Sequence, residues 1–347
     1  MKRRRILALP LALPVAACAQ GAGVPAPTVA ATSSGAPEAT AASAAVSAAT
    51  VASVDATAVA GGARLYRLPG ERAYPEGIAY DTTRRVFYTG SLADGALFRG
   101  DVDSGVVTVF SPARTDGRAT VLGMEVDAAR RRLWLAGGAA QRMYVYDLDT
   151  ARLVRQYVVP AGNPASLIND VSVTPEGDAY FTDTQRPVLW KISGGQDGPG
   201  ELEPWLDLAA GQVPYGPSAN LNGIVSTPDG THLISVHFRS GKLFRFTVAS
   251  RATHEIELST PVQNGDGLAL DGTTLFVVAS GKITRVALTP DYTRGTTRDT
   301  FGHPSFMLPT TLRKVGDRLL VINSQLDTLA AGRPVLPFTI TSVPIPP

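Results

Sequence analysis

Polar and apolar positions alternate with a period of two along most of the chain, most plainly over residues 169–183. Val171 and Val173 fall on one face, Ser172 and Thr174 on the other, as a half-buried strand requires. Pro175-Glu176-Gly177-Asp178 supplies turn chemistry, and Ala179-Tyr180-Phe181-Thr182 restarts the sheet. The same hairpin recurs. Glu76-Gly77-Ile78-Ala79-Tyr80-Asp81 precedes Val86-Phe87-Tyr88-Thr89, and Gly123-Met124-Glu125-Val126-Asp127 precedes Leu133-Trp134-Leu135-Ala136. Asn222-Gly223 leads to Leu233-Ile234-Ser235-Val236, Asp266-Gly267 to Leu275-Phe276-Val277-Val278, and Thr311-Leu312 to Leu319-Leu320-Val321-Ile322.

From one leading polar residue to the next the spacing is roughly 44 to 53 residues, the period of a four-stranded propeller blade. Six such anchors predict an all-β, six-bladed β-propeller over residues 63–347. Third strands are expected at Arg64-Leu65-Tyr66, Ala96-Leu97-Phe98, Met143-Tyr144-Val145, Val188-Leu189-Trp190 and Lys242-Leu243-Phe244. No segment sustains the 3.6-residue period of a helix, and a sandwich would not explain six similar units. A closed ring also protects its sheet edges. The last segment, Phe338 to Ile345, is expected to share a blade with a strand near Leu65 and clasp the ring shut.

The first 62 residues follow different rules. Lys2-Arg3-Arg4-Arg5 precedes an apolar run, Ile6 to Ala17, too short to span a bilayer and interrupted by Pro10 and Pro14. Residues 1–17 read as an export signal. Val15-Ala16-Ala17-Cys18 has the form of a bacterial lipobox, in which Cys18 would carry the lipid. Ala17-Cys18-Ala19 also fits plain cleavage after Ala19. Residues 18–62 are, after Cys18 and apart from Gln20, Ala, Thr, Ser, Val, Pro and Gly, with only Glu38 and Asp55 charged. Such a stretch cannot bury a core and reads as a disordered tether.

The leader also changes the reading of charge. The whole chain carries +2, and the leader alone holds four positive and no negative charges, which leaves −2 on the rest. Nucleic acid is therefore not an expected partner. Cys18 is the only cysteine, so disulfides are excluded in any compartment. The expectation is an exported, periplasmic or cell-envelope lipoprotein, monomeric, that touches the membrane only through a lipid at Cys18.

In a propeller the first strand of each blade lines the channel, so residues at matching phase converge in space. The anchors Glu76, Glu125, Asn169, Asn222, Asp266 and Thr311 all offer side-chain oxygen. Any one alone could simply cap a turn. Two carboxylates and two amides together suit a hard cation such as Ca2+, although another divalent cation is possible, with positions left for water and substrate.

On these residues the chain resembles the senescence marker protein/gluconolactonase family, also called regucalcin-like, within the calcium-dependent phosphotriesterase superfamily. The matching words are Pro75-Glu76-Gly77, Asn169-Asp170 with Tyr180 to Asp183, Asn222-Gly223 with Pro228-Asp229-Gly230, and Gly265-Asp266-Gly267. The resemblance implies a six-bladed propeller in which Glu76, Asn169, Asn222 and Asp266 bind metal and Asp266 is general base or nucleophile. It implies hydrolysis of a lactone or ester on a metal-polarised carbonyl. Sugar-lactonase members carry Arg two residues before the Asn-Asp pair. Here that position is Leu167, which favours a more apolar lactone or ester.

Glu125 and His237 are further candidates for substrate contact, with Arg142, Arg186 and Trp190 on the rim. No G-x-S-x-G occurs, and no histidines stand at zinc spacing. The competing expectation is a non-catalytic, envelope-tethered propeller that binds a small molecule or protein partner. A strictosidine synthase-like condensing enzyme is a third, against which the acidic anchors argue.

Overall fold

The computed structural model describes residues 56–195, 198–209, 211 and 213–347. The export signal, Cys18 and most of the tether lie outside the described residues. Among these residues the protein is all-β: one four-residue helix and two 3-10 turns are its only helical elements.

Twenty-five strands follow one another. β1 (Thr57–Val59) and β2 (Ala63–Arg67) come first. Unit one is β3 (Pro75–Asp81), β4 (Val86–Ser91), β5 (Leu97–Asp101) and β6 (Val107–Ser111). Unit two is β7 (Met124–Asp127), β8 (Arg132–Ala136), β9 (Arg142–Asp147) and β10 (Leu153–Val158). Unit three is β11 (Ile168–Val173), β12 (Ala179–Asp183), β13 (Val188–Ile192) and β14 (Leu202–Asp207). Unit four is β15 (Leu221–Ser226), β16 (His232–His237), β17 (Leu243–Thr247) and β18 (Thr253–Leu258). Unit five is β19 (Gly265–Asp271), β20 (Thr274–Ala279), β21 (Lys282–Leu288) and β22 (Arg294–Phe301). Unit six opens with β23 (Leu312–Val315) and β24 (Arg318–Ile322), passes the helix α1 (Leu326–Leu329), and ends with β25 (Thr339–Pro344).

Each unit is an antiparallel meander. Units four and five join into one eight-stranded sheet through a short parallel pairing, Glu257 with Arg294 and Leu258 with Gly295. Unit six is completed by the start of the chain: β25 pairs β2 from Arg64↔Ser342 to Arg67↔Thr339, which is the expected clasp. Arg64-Leu65-Tyr66 is thus the fourth strand of the closing sheet, not a third strand, because the chain enters the ring from its outer edge. Thr57–Val59, inside the stretch expected to be tether, adds a fifth strand outside β2.

The period-two pattern explains how the units stack. Both sheet faces are covered, so alternate residues go to opposite neighbours. Phe87 packs with Tyr66 and Phe338 of unit six, whereas Tyr88 packs with Leu133 and Tyr144 of unit two. Phe181 meets Trp134 of unit two, and Tyr180 meets Phe244 of unit four. Clusters around Leu268 and around Phe276 with Leu312 continue the series, so each unit shares a core with the next and the sixth with the first. The first strands neighbour one another in the same cyclic order. The arrangement is propeller-like.

Candidate functional site at the mouth of the channel

The anchors sit at an irregularity in the first strands. In unit one Pro75 pairs Ser91 and Ile78 pairs Thr89, which leaves Glu76 and Gly77 opposite a single residue. The same two-against-one bulge occurs at Asn169-Asp170, Asn222-Gly223 and Asp266-Gly267. A bulge bends its strand and redirects one side chain out of the alternation. Four of the expected residues are therefore delivered by the same device at the same phase.

Units two and six differ from the expectation. Met124 pairs Leu135, so the bulge there is Leu122-Gly123, whose Leu122 N–H donates to Ala136 O while Ala136 N–H donates to Gly123 O. In unit six Leu312 pairs Val321 and Ile322 N–H donates to Thr311 O, which makes Thr310-Thr311 the bulge. The residues in phase with Glu76 are thus Leu122 and Thr310, not Glu125 and Thr311. The slip arose because Gly123-Met124-Glu125 resembles an anchor word while register counts from the turn.

Close backbone approach holds the bulges together. Gly123 N–H donates to Asn169 O at 2.8 Å, Gly267 N–H to Thr310 O at 2.8 Å, and Thr182 Oγ1 to Asn222 O at 2.7 Å. A Cβ on Gly77, Gly123, Gly223 or Gly267 would run into the next unit's bulge. Unit three carries Asp170 where those units carry glycine. Its buried carboxylate accepts from Val171 N–H at 2.9 Å and from Ile224 N–H at 3.1 Å, stitching unit three to unit four. Sequence reasoning gave Asp170 no role. A lone carboxylate at a glycine position was the available signal.

Three anchors are preceded, two residues back, by left-handed backbone: Tyr74 at φ 36°, Asn264 at φ 57° and Leu308 at φ 51°. Bulky side chains adopt such angles only when their surroundings compel it, and strain of this kind gathers at working sites.

Glu76, Asn169 and Asn222 are buried, and Asp266 is half-buried at the bulge. Burial, then Asp266, then Asp170 push the Glu76 carboxyl well above the usual carboxylate range. Burial and Asp170 raise Asp266 to about 8, and the Asn222 amide pulls it back only in part. The two acids titrate as a pair. Asp170 rises to about 6 through burial, opposed by Arg313 and its two backbone donors. The one cation nearby, Arg313, is committed to Glu125 at 2.8 Å. Among the described residues Glu76 and Asp266 face no basic partner, and the side chain of Asn169 makes no hydrogen bond to protein.

A buried carboxylate pair without a counter-charge is costly unless a proton or a cation joins it. The donor set therefore fits a hard divalent ion: two carboxylates, two amide oxygens and solvent access at Asp266. Among the described residues no group of three or more His, Cys, Asp or Glu is arranged to hold a metal. The fit rests on the amides of Asn169 and Asn222 beside the two acids.

The remaining candidates fall elsewhere. His237 is buried, its Nε2 bonded to Pro214 O at 2.7 Å and its Nδ1 accepting from Ser240 N–H at 3.2 Å. It occupies the strand position held by Ser91 and Asp183, which also accept from the N–H groups of the following loop. Both ring nitrogens are taken, and His237 caps a loop. Leu167 is half-buried beside the bulge of unit three, its N–H donating to Asp183 Oδ1 at 3.0 Å. Arg186 lies over the Trp190 ring and donates to Pro160 O at 2.9 Å. Two surface cavities, of about 280 and 580 Å3, lie away from the anchors, one by the hairpin turns of units two to four and one between the outer strands of units four and five.

No family model and no curated protein sequence matches the chain. Solved structures do resemble it. A gluconolactonase from Xanthomonas campestris is 18% identical at a TM-score of 0.55, over 86% of this chain and 96% of that one. A virginiamycin B lyase from Staphylococcus aureus, solved with quinupristin, is 14% identical at a TM-score of 0.57, over 85% and 95%. The allergen Mala s 1 of Malassezia sympodialis is 13% identical at a TM-score of 0.61, over 81% and 95%. At these identities the likeness speaks for the fold.

Proposed function

We propose that the chain is a cation-dependent hydrolase of a lactone or ester, built on a six-bladed propeller of the senescence marker protein/gluconolactonase type. The observation that carries this reading is the shared bulge phase of Glu76, Asn169, Asn222 and Asp266, with one buried and one half-buried acid that lack a protein counter-charge. Six meanders, each sharing a core with the next, support the blade count.

Glu76, Asn169, Asn222 and Asp266 would hold the ion, calcium by the hardness of the donors. Such an ion, when bound, supplies Lewis acidity toward a carbonyl oxygen. The protein's own part falls to Asp266. Its partly open face is where a water or an acyl carbon can reach a carboxylate oxygen. As an anion it either takes a proton from that water or attacks the carbonyl itself. Asp170, locked by two backbone donors, ties the bulge of unit three to unit four. Leu122 in the anchor phase and Leu167 beside the unit-three bulge add apolar residues at the level of the anchors. That fits a lactone or ester of low polarity better than a sugar lactone.

Asp266→Asn tests the assignment. Hydrolysis of aryl esters and simple lactones should fall by about three orders of magnitude with the thermal melt preserved. A variant as active as the parent removes Asp266 from the chemistry. The second reading is a binding propeller, favoured by the tether and by Leu167 at the position where sugar-lactonase members carry arginine. Tight calcium binding without turnover across lactones and esters would select it. We further propose export of a monomer, with Cys18 either lipidated, so that the lipid alone holds the protein to the envelope, or lost on cleavage after Ala19.

A further inference from the structure

Below the anchors, the residues in phase are Ala79, Glu125, Ser172, Val225, Ala269 and Arg313, paired in register with Tyr88, Trp134, Tyr180, Ile234, Phe276 and Leu320. Four are small or medium-sized and two are long and oppositely charged. Arg313 Nη2 meets Glu125 Oε2 at 2.8 Å and also donates to Met124 O at 3.2 Å. Its Nη1 donates to Leu268 O at 3.1 Å and Leu312 O at 3.2 Å. Glu125 Oε1 accepts from Val126 N–H at 3.1 Å.

These partners belong to units two, five and six. Units two and five are not neighbours on the ring, so a guanidinium that touches both lies across the channel. The side chains of Arg313 and Glu125 are only 11% and 22% exposed. On their far side, one and two residues further along the strands, Val126, Asp127, Val173, Thr174, Ser226 and Thr227 line the cavity of about 280 Å3. The anchors lie on the near side. The ion pair therefore stands between the level of the anchors and that cavity.

We propose that the Glu125–Arg313 pair is a partition across the channel below the anchors, so that a ligand reaching the anchors enters and leaves by one mouth and the pair limits how long a substituent it carries. The geometric part stands on the contacts above. The limit on substrate length rests on the hydrolase reading. An ion pair with several hydrogen bonds suits this task because those fixed bonds hold both long side chains in one place.

The test uses the full chain with Cys18→Ser and a reporter thiol from Ser172→Cys, on the same ring and 3% exposed. Labelling rates with methyl and hexyl thiosulfonates are compared in three backgrounds: the intact pair, E125A/R313A and E125M/R313M. With the pair intact, the hexyl reagent should label at least about tenfold more slowly than the methyl reagent, because the ring has no room for it. The alanine pair should bring the two rates together, and the methionine pair, which keeps the volume, should preserve the gap. Equal rates with the pair intact overturn the partition, as does a gap that survives both alanines. If the alanine pair does not fold, the intact-pair comparison decides alone. Ester chain-length profiles form a separate arm. A shift toward longer acyl groups in E125A/R313A supports the length limit. An inactive parent refutes the hydrolase reading and leaves the labelling result standing.

Discussion

Thr310 Oγ1 donates a 2.9 Å hydrogen bond to the main-chain carbonyl of Glu76, joining the last unit to the first across 234 residues of chain. The bond closes the ring at the level of the anchor bulges. It also fixes the peptide that carries Glu76, so one hydroxyl serves both ring closure and the placement of that acid.

Thr310→Val should therefore cost about 1 kcal/mol of stability, the net value of one intramolecular hydrogen bond. It should also weaken calcium binding, because the Glu76 carbonyl is released. Thermal melts with and without calcium measure both. A loss of stability with unchanged calcium affinity would separate closure from the site.

The metal-free protein should become more stable as pH falls from 8 to 5. Glu76, Asp170 and Asp266 all have folded-state pKa values above the ordinary carboxylate range. The folded state then holds more protons than the unfolded chain, and stability declines as pH rises through the folded values of about 6 and about 8. Saturating calcium should remove this slope and add about 2.7 kcal/mol at a hundredfold excess over Kd. Melts in chelator and in calcium across this range check it.

Gly123→Ala should be disruptive although its backbone is unexceptional. The added Cβ meets Asp170 Oδ1 and the carbonyl of Asn169. A cost of about 1–3 kcal/mol is expected from overpacking at a site with no room to relax. Calcium affinity should fall with it, since Asn169 and Asp170 are displaced together. Denaturant melts and calcium titration read the two effects.

His237→Phe should lower the melting temperature while leaving the pH profile of any hydrolysis unchanged. The ring loses its bonds to Pro214 O and Ser240 N–H, a cost of about 1–3 kcal/mol for buried polar groups left unpaired. A vanished pH-rate limb would instead give the histidine a part in catalysis.

Much of this protein is local and can be read along the chain. The alternation at Val171 to Val173, the Pro-Glu-Gly-Asp and Pro-Asp-Gly turns, and the recurrence of the unit describe strands whose two faces are both covered. The clasp of the last strand with one near Leu65 follows from the incomplete final repeat. Glu76, Asn169, Asn222 and Asp266 stand out for the same reason, each at the head of a strong local pattern.

Tertiary structure decided what depends on register and on neighbours. Leu122 and Thr310 hold the anchor phase because a bulge inserts one residue, and a bulge is visible only against the partner strand. Arg313 looks like an ordinary strand arginine until ring closure brings it to Glu125 of unit two. His237 becomes a loop cap once Pro214 and Ser240 are placed around it. Side-chain period is a property of the strand alone, whereas the direction of a bulged residue and the counter-charge it meets are set by chains distant in sequence.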